Sequence, residues 1–374
     1  MYQIAVIGSG HRATPLVKRL CEKEGIVLKA VCDINLPAVQ ERYKDYDGVE
    51  YFTDAETMLE SCHIDGIFVG TRCSLHTRFA LLCHKYNIPL FLEKPVSINE
   101  EQLTALEKIV DYNDRVVVSF PLRLTHIVKC VKEIVDSGKL GRVAHVQAYN
   151  NVPYARGYYH GWYRDENETG GLFLQKTTHD FDYINYLLGN LKPVRIAAME
   201  SKQIFKGDMP EGLACADCPR QEECPESRKN VESYGDPYEI RPWCAFAKDT
   251  GNHDSGSTMV MYENGVHVVY SQNFIARKKA AKRGARLIGY YGTVEFDFNT
   301  GIVNVYYHNE NRTETHTFDV GSGHSGGDKE LIDNFADVIR GKDVSHSDLK
   351  SGILSAKMCL AAKRSAADSK FYDL

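Results

Sequence analysis

Two short stretches constrain what this chain can fold into more than anything else in it: Gly8-Ser9-Gly10-His11-Arg12-Ala13, and further on Glu93-Lys94-Pro95. The first follows Ile4-Ala5-Val6-Ile7, an apolar run that reads as a buried strand. It precedes Ala13 to Glu24, whose Leu16, Val17, Leu20 and Cys21 fit one helix face. Strand, glycine turn, helix is the setting a dinucleotide fingerprint requires. Gly8 permits the tight turn, Gly10 lets backbone approach a pyrophosphate, and Ala13 permits close helix–strand packing. The helix N-terminus, with Ser9, His11 and Arg12 beside it, offers unpaired N–H groups and a positive dipole end to phosphates. Asp33 closes the next apolar strand, Val27 to Cys32, roughly 20 residues further on, where an acid meets the adenine ribose 2′-OH. Asp33-Ile34-Asn35 presents a carboxylate and no arginine there. A 2′-phosphate would meet like charge, so NAD is expected rather than NADP.

The 374 residues suffice for two domains with a core each. A net charge of −5 argues against a dedicated nucleic-acid binder. Met1-Tyr2-Gln3 runs straight into the first strand, which leaves no room for a signal peptide, and no apolar run approaches the roughly 20 residues of a membrane span. Cysteines number eleven, an odd count. Cys21, Cys32, Cys62 and Cys83 fall at apolar positions of predicted elements, as small core hydrophobes do. A reducing cytoplasm is expected rather than a disulfide framework.

Residues 1–120 alternate strand and helix. Beyond the first unit, strands are expected at Gly66 to Gly70, Pro89 to Leu92 and Val116 to Phe120. Helices are expected near Leu36 to Tyr43, Ala55 to Ser61, Leu75 to Tyr86 and Glu100 to Tyr112. Continuous apolar strands between amphipathic helices imply a doubly wound parallel sheet, a Rossmann domain. After Pro121 the pattern becomes α+β. Helices at Leu124 to Ser137 and His179 to Leu188 accompany strands from Arg142 to Tyr149 and from Val194 to Phe318, and helical segments close the chain. Residues 121–374 thus form a second domain on a large, open, mainly antiparallel sheet, with an irregular cysteine-bearing insert at about 210–244. An open sheet must cover its free face, so a homodimer or homotetramer is expected.

In order and spacing, Gly8-Ser9-Gly10, Gly70-Thr71 with His76 downstream, Glu93-Lys94-Pro95, and Gly170-Gly171 before Lys176-Thr177-Thr178-His179-Asp180-Phe181-Asp182 are specific together. Over essentially its whole length the chain resembles the glucose–fructose oxidoreductase/inositol dehydrogenase/MocA family. Members of that family are mostly NAD(P)-dependent dehydrogenases of sugars and cyclitols, and a minority cleave glycosidic bonds by transient oxidation. The resemblance implies cofactor contacts at Thr71, His76, Glu93 and Lys94, a cis Lys94–Pro95 bond, and a catalytic role for His179. Lys94 follows a strand end at the carboxyl edge of the sheet, where it can polarise a substrate hydroxyl and help hold the nicotinamide ribose. Neutral imidazole is a natural acceptor for a hydroxyl proton, and Asp182, three residues on, is placed to orient the His179 ring. Many relatives carry an aspartate four residues before that histidine; this chain has Gln175, then Lys176. An amide is no partner in proton transfer. Lys176 reads either as a second cation in the site or as a solvated lysine.

Tyr154, Arg156, Tyr158, Tyr159, His160, Trp162, Tyr163 and Arg164 crowd one loop. Aromatic faces stack on sugar C–H faces while Arg and His bind hydroxyls, so Tyr154, Trp162 and Arg164, together with Lys176, are candidate substrate contacts; subunit packing enriches the same aromatic types. His324, before Ser325-Gly326-Gly327-Asp328, either caps the following helix through Asp328 or closes the pocket. Cys215, Cys218, Cys224 and Cys244 have the spacing of a structural zinc site, against which stands a set of free thiols. The expected function is NAD-dependent oxidation of a secondary hydroxyl of a sugar, sugar derivative or cyclitol. The alternative enzyme is an NAD-dependent glycosidase acting by oxidation and elimination, and a ligand-sensing regulator would be expected to have lost Lys94 or His179.

Overall fold

The computed structural model describes residues 1–189, 191–234 and 242–374, those at 322 and 323 by backbone alone. The chain forms two compact units. One comprises Met1–Val128, Thr178–Tyr183 and Gly321–Lys357; the other comprises Lys129–Thr177, Ile184–Val320 and Met358–Leu374.

The first unit holds a six-stranded sheet: β1 (Tyr2–Ile7), β2 (Ile26–Cys32), β3 (Glu50–Phe52), β4 (Gly66–Val69), β5 (Leu90–Leu92) and β6 (Val116–Val118). Its order is β3-β2-β1-β4-β5-β6, parallel throughout. The strand order reverses between β1 and β4, and ligands of doubly wound sheets bind at the carboxyl ends beside that reversal. Sequence reading missed β3. Its three residues are half-exposed at the sheet edge and carry no continuous apolar signal. The central strands are apolar on both faces because both are covered. One cover comes from far along the chain: the helix Gly327–Ile339 buries Leu331, Ile332 and Phe335. Phe335 meets Phe91 edge-on at 5.6 Å, and Phe91 stacks on Phe68 at 4.4 Å. Gly66 keeps the approach close, since a Cβ there would lie 2.7 Å from Ile339.

The second unit is built on nine strands: β7 (Val143–Asn151), β8 (Pro193–Ser201), β9 (Ser255–Tyr262), β10 (His267–Asn273), β11 (Lys282–Gly289), β12 (Gly292–Asp297), β13 (Ile302–Tyr307), β14 (Thr313–Thr317) and β15 (Tyr372–Asp373). Their order is β14-β13-β12-β11-β7-β10-β9-β8-β15, antiparallel except for β10 beside β7. Alternation sets the faces: β9 buries Gly256, Thr258, Val260 and Tyr262 and turns out Ser257, Met259 and Met261. Asn264-Gly265 turns the chain between β9 and β10, with Gly265 left-handed at φ 87°. Of the irregular insert expected at about 210–244, positions 235–241 lie outside the described residues. No helix among the described residues is long and apolar enough to cross a membrane.

Candidate functional site

The glycine turn sits between the carboxyl ends of β1 and β4. Gly8 is left-handed at φ 78°, and a Cβ there would fall 2.5 Å from Thr71 Cγ2 and 2.8 Å from the Thr71 Cα. Only glycine fits that place. Around Gly10 a Cβ would meet nothing within 4 Å, so its face is open ahead of the helix Ala13–Cys21. Ala13 packs against Gly70, where a Cβ would come within 2.6 Å of it. The Ser9 side chain points inward, with Oγ 2.6 Å from the Tyr43 hydroxyl; its backbone N–H donates to Asp33 Oδ2 at 2.9 Å. Asp33 Oδ1 accepts from Asn35 N at 2.9 Å. His11 is exposed and Arg12 half-buried. An open glycine face, a helix N-terminus and a tethered acid fit a dinucleotide's pyrophosphate and ribose.

One arginine reaches this turn after all. Arg42, at the end of the helix Leu36–Arg42, donates from Nη1 to the Ser9 carbonyl. Its signal was present in the sequence, because Arg42 lies two helical turns beyond the N-cap Asn35.

His76 is 1% exposed. Its Nδ1 lies 2.7 Å from the Pro95 carbonyl and its Nε2 3.2 Å from that of Thr71, so the ring braces the two loops that carry Thr71 and Lys94. Burial pushes its pKa down. The Lys94–Pro95 bond is cis. Glu93 accepts from Ser119 Oγ at 3.2 Å and pairs with Arg12 Nε at 3.5 Å.

His179 lies in the first turn of the helix Thr178–Leu187, directly after a π-turn at Phe173–Thr177. Turns of that kind recur at functional sites, and the sequence pattern did not show it. The first turn of the helix is pinned on two sides. Thr178 Oγ1 meets Ser355 Oγ at 3.0 Å, and Ser355 Oγ donates to the Thr178 carbonyl at 2.6 Å. Asp182 does not turn to His179; it accepts from Arg123 Nε at 2.9 Å and from Nη2 as well. The fully buried guanidinium–carboxylate pair fixes the helix rather than the imidazole ring. His179 is 7% exposed, edge-on to Phe120 at 5.8 Å and 6.3 Å from the ring of His324. The structure therefore links Glu93, Arg12, Asp328, His324 and His179 in one continuous set.

In the second unit Lys176 is buried, with Nζ 2.5 Å from the Tyr154 hydroxyl and over the Tyr154 and Tyr158 rings at 4.1 and 5.0 Å. Trp162 stacks on Tyr163 at 3.9 Å, and Tyr163 lies 5.1 Å from Tyr158. Other polar residues of this loop make contacts within the second unit. Arg164 is buried, pairs with Asp249 and lies over the Trp243 ring; Arg156 Nε donates to Glu226 Oε2 at 2.8 Å; Tyr159 donates to the His253 carbonyl at 2.7 Å.

The four insert cysteines come together on the wall of one small recess, beside His160 and Glu226. All are free thiols, and burial pushes those of Cys224 and Cys244 up. Among the described residues no group of three or more His, Cys, Asp or Glu side chains is placed to hold a metal ion, so the zinc expectation is not carried. The insert is fastened by other means: backbone bonds from Cys215 to Pro242 at 2.6 Å and from Cys244 to Leu213 at 2.8 Å, and the Arg156–Glu226 pair.

Comparison with known proteins bears on both units. The chain is 27% identical over 336 residues, 79% of its length and 76% of the other, to YteT of Bacillus subtilis, a protein only provisionally named an oxidoreductase. It is 27% identical over 194 residues to the myo-inositol 2-dehydrogenase of Thermotoga maritima, an alignment covering 50% of this chain and 55% of that one. A levoglucosan dehydrogenase solved with NADH and levoglucosan shares the fold, with a TM-score of 0.76 at 17% identity over 100% of this chain and 99% of that one. Family models match residues 2–120 as the NAD-binding Rossmann fold of an oxidoreductase family and residues 132–374 as its C-terminal alpha/beta domain. On these grounds the chain belongs to the GFO_IDH_MocA oxidoreductase family.

Proposed function

We propose that the protein is an NAD-dependent dehydrogenase that oxidises a secondary hydroxyl of a sugar, sugar derivative or cyclitol. The observation that carries the reading is the first unit's arrangement: an open glycine turn with its tethered acid, and His179 on a pinned helix turn, tied through His324, Asp328 and Arg12 to the strand end that bears Glu93 and Lys94. A nicotinamide dinucleotide supplies the hydride acceptor when bound. Gly8, Gly10 and the N-terminus of the helix Ala13–Cys21 hold its pyrophosphate, Asp33 its adenine ribose, and Lys94 its nicotinamide ribose. Asp33 favours NAD, because a 2′-phosphate beside it would bring like charges together, while Arg42 is engaged by the Ser9 carbonyl. His179 takes the proton from the substrate hydroxyl, and Lys94 polarises the oxygen as it becomes a carbonyl. Tyr154, Trp162 and Lys176 offer aromatic faces and a cation to a polyol. The named activities among the relatives reported above, myo-inositol 2-dehydrogenase and levoglucosan dehydrogenase, support this substrate class; neither is named for glycosidic cleavage.

The test is redox balance. The protein is incubated with NAD and a panel of cyclitols, free sugars and their glycosides, and NADH and products are followed together. A dehydrogenase accumulates NADH in step with a keto product. Bond cleavage without net NADH would replace the reading with the glycosidase.

A further inference from the structure

We propose that His324 and Asp328 form a second histidine–carboxylate pair that passes the substrate proton from His179 out to solvent. The inference rests on the dehydrogenase reading above and gives a proton-transfer role to two residues that reading uses only as a structural link.

The local backbone is built to make the pair. His324, Ser325 and Gly326 are all left-handed, at φ 50°, 50° and 88°, a run that L-residues adopt only at a cost. A Cβ on Gly327 would lie 2.1 Å from the Pro121 carbonyl, so the next helix begins seated on that backbone. Asp328 in its first turn is 5% exposed and accepts from Arg12 Nη1 at 2.8 Å and Nη2 at 2.5 Å, and His324 Nδ1 lies 3.1 Å from Oδ2. Burial opposes the charge on Asp328, but the hydrogen bonds from Arg12 and His324 outweigh it and hold the carboxyl well below its ordinary range. An ionised carboxylate only accepts. It therefore keeps the His324 proton on Nδ1 and leaves Nε2 as the open acceptor.

The gradient of exposure gives the direction. His179 is 7% exposed, and the His324 side chain is 37% exposed. The two ring centroids stand 6.3 Å apart and the rings are tilted by 34°, and the proposed transfer runs across that gap through one substrate hydroxyl or water. The residue at which the family resemblance implies an acid is Gln175, whose Nε2 donates to the Thr169 carbonyl at 3.4 Å, and an amide does not exchange a proton near neutral pH. The charged groups tied to His324 are Asp328, which it meets directly, Arg12 through Asp328, and Glu93 behind Arg12. In the balanced reaction the substrate O–H proton goes to His179 and its C–H hydrogen leaves with the electron pair to the oxidant, a nicotinamide dinucleotide, forming the C=O bond. His179 then returns to its neutral form by giving the proton to His324 Nε2, while His324 loses one to water.

The test compares the full chain with His324→Gln. The variant should lose at least about 10-fold in kcat for polyol oxidation, less than loss of a general base itself. Added imidazole should restore the rate, and a solvent deuterium effect larger than the parent's should appear. NADH affinity, measured by fluorescence, should stay parental. NMR of histidine-labelled protein should show His324 protonated on Nδ1, a tautomer lost in Asp328→Asn, and this readout stands even if His324→Gln fails to fold. A variant with parental kcat, a slowed variant that imidazole does not accelerate, or an Nε2-protonated His324 in the parent overturns the relay and leaves the dehydrogenase reading intact. A parent that reduces no NAD with any polyol overturns both.

Discussion

Gly8 and Gly10 stand two residues apart in one turn, yet the structure separates their roles sharply enough to be tested against each other. An alanine at Gly8 would have to adopt a left-handed backbone at φ 78°, with its Cβ 2.5 Å from Thr71 Cγ2 and 2.8 Å from the Thr71 backbone. The backbone conformation costs about 1–2 kcal/mol and the overpacking about 1–3. Gly8→Ala should therefore destabilise the folded protein by roughly 2–5 kcal/mol, because backbone cannot swing aside as a flexible side chain does. Gly10 is not left-handed, and its Cβ would meet no protein atom within 4 Å. Gly10→Ala should change stability by no more than about 1 kcal/mol, in the stabilising direction if at all. The same methyl group would occupy the face left open for a pyrophosphate, so NADH affinity should fall at least about tenfold, or ~1.4 kcal/mol. Urea unfolding of both ligand-free variants, with NADH titration of whatever remains folded, separates the effects. Parental stability in Gly8→Ala, or parental NADH affinity in folded Gly10→Ala, would show that the two glycines do not divide the roles in this way.

Further outcomes follow from single contacts. Asp33→Ala should narrow the preference for NADH over NADPH, measured as a ratio of dissociation constants; equal affinities in the parent would remove the role given to Asp33. Arg164→Ala should act on folding rather than on substrate: removing a buried partner of Asp249 costs roughly 2–4 kcal/mol by thermal unfolding, with KM little changed. The acid side of the stability curve should carry the Asp328 signature. Its folded pKa lies below the ordinary 3.8, so its contribution is complete above that value and is lost as pH falls below it. Asp328→Asn should therefore flatten the loss of stability below about pH 4, read from unfolding midpoints across acid buffers.

The fold was legible where residue pattern and local physics coincide. Gly8, Gly10 and Ala13 declare a strand–turn–helix unit because steric needs there allow few other residues, and the apolar runs of β1, β2 and β4 fit only a sheet covered on both faces. β3 and β15 were not legible, since two or three half-exposed edge residues carry no periodicity. The site was legible as a set of residue types and less so as contacts. His179 stood out through its motif, but the carboxylate near it, Asp182, proved to belong to Arg123. The carboxylate that does hold a histidine beside His179, Asp328, is brought in from far along the chain. Long-range pairs such as Arg12–Asp328 and Arg164–Asp249 leave no mark in spacing. That is why the Asp249 partner of Arg164 could not be read from the sequence, whereas the position of Arg42, two helical turns beyond Asn35, could have been. The cysteines show a different limit: spacing brought four thiols to one recess without placing them to hold a metal ion.

On the proposed chemistry His179 takes a proton during the chemical step and takes little part in holding the dinucleotide. The direct measurement is the kinetics of His179→Ala with a substrate found in the redox-balance screen, paired with its NADH dissociation constant. Both kcat and kcat/KM should fall together by about 10²–10⁴-fold, while the dissociation constant stays at the parental value. Near-parental turnover in His179→Ala, or a loss of activity fully explained by weaker NADH binding, would contradict it.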